Sequence, residues 1–239
     1  MTALSVNINK IATLRNARGG LIPDILDHAI RIEKYGAQGI TVHPRPDERH
    51  IKFEDVKSLK KHITTELNIE GNPKEQKFID LVLETNPDQV TLVPDNNNQL
   101  TSDHGWDTIK EKDFLIEIIH LFKSKNIRTS IFVDPIDKYI IGASETGTNR
   151  IELYTENYAA NYQKDKEKAI YPYLKAAKIA NEQNLGINAG HDLNLHNLHY
   201  FSTEIPTLKE VSIGHALIAD ALDYGMENTV KMYLRSLRK

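Results

Sequence analysis

Cysteine is absent from the 239 residues. Disulfides, thiolate metal sites and a cysteine nucleophile are excluded together. A large excess of either charge is also missing, since 30 Lys and Arg stand against 33 Asp and Glu, a formal −3. The chain as a whole exerts no net pull on nucleic acid or on an anionic membrane, so any anion must be held by a local cluster. No window approaches the ~20 apolar residues that a bilayer-spanning helix needs. The opening MTALSVNINK runs directly into a strand-like pattern, without the charged start and apolar stretch of an export signal. These absences lead us to expect a soluble, cytoplasmic protein with neither a nucleic-acid nor a membrane partner.

Two phosphate signatures are lacking as well. Neither GxGxxG nor GxxxxGK followed by Ser or Thr occurs, which removes the main support for dinucleotide-binding and P-loop readings. What the chain does have is an alternation of short β-rich runs with longer amphipathic segments. The strand candidates are Leu4–Ile8, Gly39–Val42, Glu66–Glu70, Gln89–Val93, Arg128–Val133, Arg150–Tyr154, Gly186–Asn188 and Glu210–Ile213. Helical spacing is found between them, as in Asp24–Tyr35, Phe53–His62, Lys74–Glu84, Ile109–Lys125 and Lys164–Gln183, and again in the closing stretch Ala216–Arg238. Pro23 and Pro73 open helices, and Gly36 and Gly147 follow helix ends. Eight strand–helix units in a chain near the typical barrel length of roughly 250 residues predict an α/β fold, a single (β/α)8 TIM barrel over 1–239 with extra helical segments. Two stretches, Asp95–Trp106 and Glu156–Lys166, read as long βα loops of the kind that form lids or substrate clamps.

In such a barrel, active sites form where the strands end at their C-terminal side. Those ends carry Asn7 and Asn9, His43, Glu70, Pro94, Asp134, Glu152 and Tyr154, Asn188 and His191, and Gly214 and His215. His43, His191 and His215 converge on one rim, whereas His28, His62, His120, His196 and His199 lie on helical stretches and read as surface or core residues. Anion-binding features surround the rim. Ile213–Ala216 (IGHA) places a glycine and a helix start directly after the last strand, where unpaired N–H groups suit a phosphate. Val42–His50 sends Arg45, Arg49 and His50 from the second βα loop, and Ile11–Gly20 offers Arg15 and Arg18 from the first. Each also reads as a plain helix start or a solvated charged loop, but together they suggest two phosphates. A Schiff-base lysine is missing from every strand end, and the first strand reads VNIN where a metal-dependent hydrolase of this fold would show HxH. What remains is acid–base chemistry by His and Glu, without a metal or another cofactor.

The motifs VNINKIATLRNARG (Val6–Gly19), GITVHPRPDERHI (Gly39–Ile51), NIE (Asn68–Glu70), LVP (Leu92–Pro94), INAGHDL (Ile187–Leu193) and SIGHALI (Ser212–Ile218) resemble the pyridoxine 5′-phosphate synthase family, in order and over nearly the whole chain. The resemblance implies condensation of 3-amino-2-oxopropyl phosphate with 1-deoxy-D-xylulose 5-phosphate to pyridoxine 5′-phosphate, inorganic phosphate and water, in a homo-octamer of barrels. It implies that His43 and Glu70 accept protons and His191 donates one. It also implies that Asn7, Arg18, Gly214 and His215 hold the amino-ketone phosphate, and that Arg45, His50 and Thr101 hold the deoxyxylulose phosphate. The chain departs from the family at three positions. Asn9 and Lys10 replace an Asp-His pair that contacts the deoxyxylulose phosphate, and Asp192 replaces the Gly after the catalytic histidine. Lys10 can still bind an anion and Asn9 can still hydrogen-bond. At Asp192 the expectation is a backbone N–H facing substrate with the carboxylate turned away. Two alternatives stay open on the residues alone: another phosphosugar barrel enzyme, such as an isomerase or epimerase, and a catalytically silent barrel that binds phosphorylated ligands.

Overall fold

Within the β-rich runs apolar and polar residues alternate, and a strand sends alternate side chains to opposite faces. In the computed structural model, which describes residues 2–96, 99 and 102–238, this alternation separates the outside of a barrel from its inside. The strands are β1 (Ala3–Asn7), β2 (Gly39–Val42), β3 (Glu66–Gly71), β4 (Gln89–Leu92), β5 (Arg128–Val133), β6 (Arg150–Tyr154), β7 (Gly186–Gly190) and β8 (Leu208–Ile213). Each pairs in parallel with the next, and β8 returns to β1, so the sheet closes. Leu4 and Val6, Ile40 and Val42, and Leu67 and Ile69 are fully buried in the apolar layer shared with the surrounding helices. Each such side chain contributes about 1.5–3 kcal/mol of burial. The residues between them meet inside the barrel: Ser5 Oγ lies 2.7 Å from Thr41 Oγ1, Asn68 donates to Thr41 at 3.3 Å, and Thr91 donates to Asn68 at 3.0 Å.

The helices are α1 (Asn9–Asn16), α2 (Ile25–Lys34), α3 (Phe53–His62), α4 (Gln76–Thr85), α5 (Lys112–Lys123), α6 (Asp137–Glu145), α7 (Glu156–Tyr162), α8 (Lys166–Glu182), α9 (Leu198–Glu204), α10 (His215–Tyr224) and α11 (Met226–Ser236). Three of them, α1, α7 and α10, exceed one helix per strand. Two of these occupy segments whose sequence reads as loop. The basic run after β1 is helical because Ile11, Ala12 and Arg15 share a buried face. In the stretch after β6, α7 buries Tyr158, whose hydroxyl donates to the Asn197 carbonyl at 2.7 Å. The closing helix is two helices rather than one, because Gly225 takes φ +74 and interrupts the ladder. Asp24 and Asp165, read as the first helical residue and a helix-interior residue, are N-caps that accept from the amides of Asp27 (2.7 Å) and Lys168 (3.0 Å). Strand ends differ from expectation by up to two residues, and β7 runs on to Gly190, which brings His191 to the rim. No helix among the described residues is long and apolar enough to cross a membrane.

Candidate active site

A cavity of about 390 Å³ opens at the C-terminal rim. Because β2 and β3 run side by side in register, the chain leaving β2 delivers His43 next to Glu70 near the end of β3. His43 Nδ1 lies 4.0 Å from Glu70 Oε2. That separation is beyond a hydrogen bond, and the two groups do not form a charged pair. Burial holds the His43 imidazole well below its ordinary pKa, with the positive charge of Arg45 and the neighbouring His50, His191 and Arg49 acting in the same direction. His43 is thus a neutral imidazole, competent to accept a proton. Burial also pushes Glu70 up to about 7; His191 and a hydrogen bond from Ser212 pull it down, and Asp95 and Glu210 push it further up. Asn7 Nδ2 donates to Glu70 Oε2 at 3.3 Å and Ser212 Oγ to Oε1 at 3.4 Å, which fixes the carboxyl in the cavity.

The first βα turn works as a brace. Asn7 Oδ1 accepts from the Asn9 amide at 3.1 Å, and Asn9 Oδ1 accepts from the His43 amide at 2.9 Å. The Asn9 side-chain oxygen therefore holds the chain leaving β2 at His43 in place, while Lys10 stands exposed on the cavity wall. Gly214 ends β8 and precedes α10, and a Cβ there would meet Asn7 Cβ at 3.1 Å and Cγ at 3.2 Å. A side chain at 214 would press on Asn7, so glycine is what lets the helix start, with exposed His215 as its first residue, approach the cavity without displacing it.

His50 also lines the cavity, and its Nδ1 accepts from the Ile51 amide at 2.9 Å, so its other ring nitrogen carries the proton. Burial, Arg45, Lys10 and Arg49 lower His50 to about 4 and keep it a neutral donor. Arg45 is buried and lines the same wall, yet it is not an uncommitted anion clamp. Its guanidinium donates to Asp95 Oδ2 at 2.6 Å and to the Asn96 carbonyl at 3.4 Å, and Ser102 Oγ donates to the same Asp95 oxygen at 2.8 Å. Arg15, offered by the sequence as a basic loop residue, is instead structural: it makes a bidentate pair with Asp55 (2.6 and 2.9 Å) and donates to the His50 carbonyl at 3.1 Å. Arg18 lies exposed beyond α1 and does not line the cavity. Thr101 lies outside the described residues.

His191 and Asp192 follow β7. The carboxylate of Asp192 does not turn away: Oδ2 lies 2.6 Å from His191 Nδ1. Its backbone N–H, expected to face substrate, donates to Thr155 Oγ1 at 3.3 Å. Sequence reasoning placed Glu152 at a strand end without a role, yet it lines the cavity, 3 % exposed. Burial raises its carboxyl well above the usual range, with the charges of Glu70 and Glu210 adding to the effect. It is held as a neutral acid able to donate. Gly190 makes room for it, since a Cβ there would stand 2.5 Å from Glu152 Oε1. The signal was present in the alternation Ile151-Glu152-Leu153, which points a carboxylate inward between two outward apolar residues.

A closed parallel barrel whose C-terminal rim gathers neutral imidazole, titratable carboxyls and helix-start amides defines a (β/α)8-barrel acid–base enzyme. Comparison narrows the class. The family model described as "Pyridoxal phosphate biosynthesis protein PdxJ" matches residues 4–239. The chain is 61 % identical over 238 residues to the pyridoxine 5′-phosphate synthase of Christiangramia forsetii and 60 % identical over 238 residues to that of Flavobacterium johnsoniae, with 100 % of both chains covered in each case. The chain belongs to the PdxJ family. Among solved structures, phosphoribosyl anthranilate isomerase from Thermotoga maritima shares the barrel at a TM-score of 0.63, over 99 % of this chain and 98 % of that one; at 13 % identity the likeness is one of fold alone.

Proposed function

We propose that this protein is a pyridoxine 5′-phosphate synthase, the whole chain forming one catalytic barrel that joins 3-amino-2-oxopropyl phosphate to 1-deoxy-D-xylulose 5-phosphate and releases inorganic phosphate and water. The observation that carries this reading is the placement of His43, Glu70 and His191 around one cavity, with His43 kept neutral and Glu70 titrating near 7. Imine formation between amine and ketone, dehydration, phosphate loss and ring closure all need proton transfers at neutral pH. A neutral imidazole and a carboxyl near 7 accept and return protons there, and His191 acts as donor. The substrate's own amine removes any need for an enzyme lysine.

The amino-ketone phosphate binds against Asn7 and the α10 start at Gly214 and His215. The deoxyxylulose phosphate binds toward Arg45, His50 and Lys10. Family resemblance adds Arg18 and Thr101 to these two sets. The barrel works in the cytoplasm as a homo-octamer, and exposed apolar side chains such as Leu21 and Ile22 on the loop after α1 suit a surface covered by another copy. Incubating the purified protein with both substrates should yield pyridoxine 5′-phosphate and free phosphate together. Turnover of a single sugar phosphate without the amine would instead favour the isomerase or epimerase reading.

A further inference from the structure

The turn that carries His191 is fixed more tightly than a donor on a loop requires. His191 takes φ +98, a backbone conformation rare for a residue with a side chain. Thr155 Oγ1 donates to the Gly190 carbonyl at 2.7 Å and accepts from the Asp192 amide at 3.3 Å. The side-chain amides of Asn194 and Asn197 reach the Asp192 carbonyl at 3.5 and 3.4 Å. With its backbone held on both sides, Asp192 presents its carboxylate to the imidazole at 2.6 Å. Tyr154 packs edge-on against the ring, with centroids 5.5 Å apart.

We propose that Asp192 is a positioning residue: by accepting the Nδ1 proton it fixes the tautomer and orientation of His191, so that Nε2 is the nitrogen that exchanges a proton with substrate. The inference rests on the proposed role of His191 as proton donor, and it moves Asp192 from binding substrate to acting through its neighbour. Among the described residues, the groups that act on the imidazole include Asp192 on its own turn, Tyr154 on β6, Glu70 on β3, Asp95 after β4 and His43 after β2. Burial works against the imidazolium. The Asp192 hydrogen bond and charge, with Glu70 and Asp95 behind them, outweigh it and raise His191 above its ordinary value. Among these groups Asp192 alone makes direct hydrogen-bonded contact through its carboxylate, so it is the one whose removal should be felt most.

The test is an NMR titration of histidine-labelled protein, with His191 assigned by its loss in His191→Gln, in the wild type, Asp192→Asn and Asp192→Ala. Both Asp192 variants should lower the His191 midpoint by about one pH unit or more, a tenfold change in the imidazolium-to-imidazole ratio. The high-pH limb of the kcat profile, where a donor loses its proton, should move down by the same amount. A merely structural role for Asp192 would scale turnover at every pH and leave the limb where it is. An unchanged His191 midpoint in both variants overturns the proposal whatever happens to turnover. A lowered midpoint with an unmoved limb supports the pairing and instead refutes His191 as the donor, so the two failures are told apart.

Discussion

At the N-terminal end of the barrel interior, Glu210 is 4 % exposed and held by Arg150 at 3.2 Å, while Gln89 donates to its other oxygen at 3.5 Å. Arg150 also donates to Asn188, Asn188 and Arg128 both donate to Gln89, and Arg128 pairs with Glu66. At the C-terminal end, Glu152 is equally buried, but one of its carboxylate oxygens has no hydrogen-bond partner among the described residues. Both ends bury carboxyls, and taking a charge out of water costs several kcal/mol. At the lower end an arginine and a ring of amides offset part of that cost: burial still raises the Glu210 carboxyl above its ordinary value, and Arg150 pulls it back toward ionisation. At the upper end Glu70 has only two weak hydrogen bonds and the more distant His191 to set against burial, and Glu152 is raised by every group that acts on it, so both hold their protons into the range where chemistry needs them. The same burial that would be a defect in a scaffold is what equips the rim to exchange protons.

The strongest challenge to this contrast is to neutralise one end at a time. Glu70→Gln or His43→Asn should lower turnover by about 10²–10⁴-fold with the fold retained, as read by steady-state rates alongside circular dichroism. At the lower end the effect should fall on stability. Arg150→Gln leaves Glu210 without its cation and should cost on the order of 3–5 kcal/mol in denaturant unfolding, while the folded fraction keeps near-normal turnover. If Arg150→Gln abolished turnover in fully folded protein, the division of labour between the ends would fail.

A smaller effect is expected where the two regimes meet. Arg45 belongs to the upper rim but is paired like a lower-end residue, with both partners of the Asp95 contact no more than 5 % exposed at the side chain. Arg45→Ala should weaken deoxyxylulose phosphate binding by roughly tenfold or more, from a charge-assisted bond of about 1.5–3 kcal/mol, and spare the amino-ketone phosphate. It should also lower stability, because Asp95 loses its paired cation and, among the described residues, keeps only the Ser102 hydroxyl. Binding of each substrate alone, by calorimetry, decides the matter: equal weakening of both would merge the two phosphate clamps into one. The smallest effect is expected from chelation. The sequence spaces no HxH pair on a strand, and turnover should be unchanged after exhaustive treatment with a strong chelator.

The architecture was legible because it rests on a local rule. Runs such as Ser5-Val6-Asn7 and Ile151-Glu152-Leu153 alternate, and eight of them separated by helical spacing leave few folds to choose from. Helix α1 was hidden because its buried face contains Arg15, a residue that reads as solvated until Asp55, forty residues away, supplies its partner. The break at Gly225 was hidden because the apolar spacing continues on both sides of it. At the site, residues that strand ends carry could be named from their positions. The commitment of Arg45 to Asp95 could not, because it joins loops after β2 and β4 that only closure of the barrel brings together. The turn of Asp192 toward His191 was missed for a different reason: it depends on the backbone of this turn, where His191 takes φ +98, and nothing in the residue types announces that.

The claim that the upper rim stores carboxyls whose burial is only partly compensated is tested most directly by the unfolding free energy of Glu70→Gln against the wild type across pH. The folded carboxyl titrates near 7, whereas in an unfolded chain a glutamate titrates at about 4.3. Between those values the folded protein keeps a proton that the unfolded chain has released, so wild-type stability falls as pH rises through the window and stays depressed above it. Glutamine is neutral throughout and lacks this loss. The account predicts that Glu70→Gln is more stable than the wild type at pH 8, although its turnover is lost, and that the stability difference moves steadily in the wild type's favour as the pH is lowered toward 4. A difference that does not vary with pH, or one that moves the other way, would contradict it.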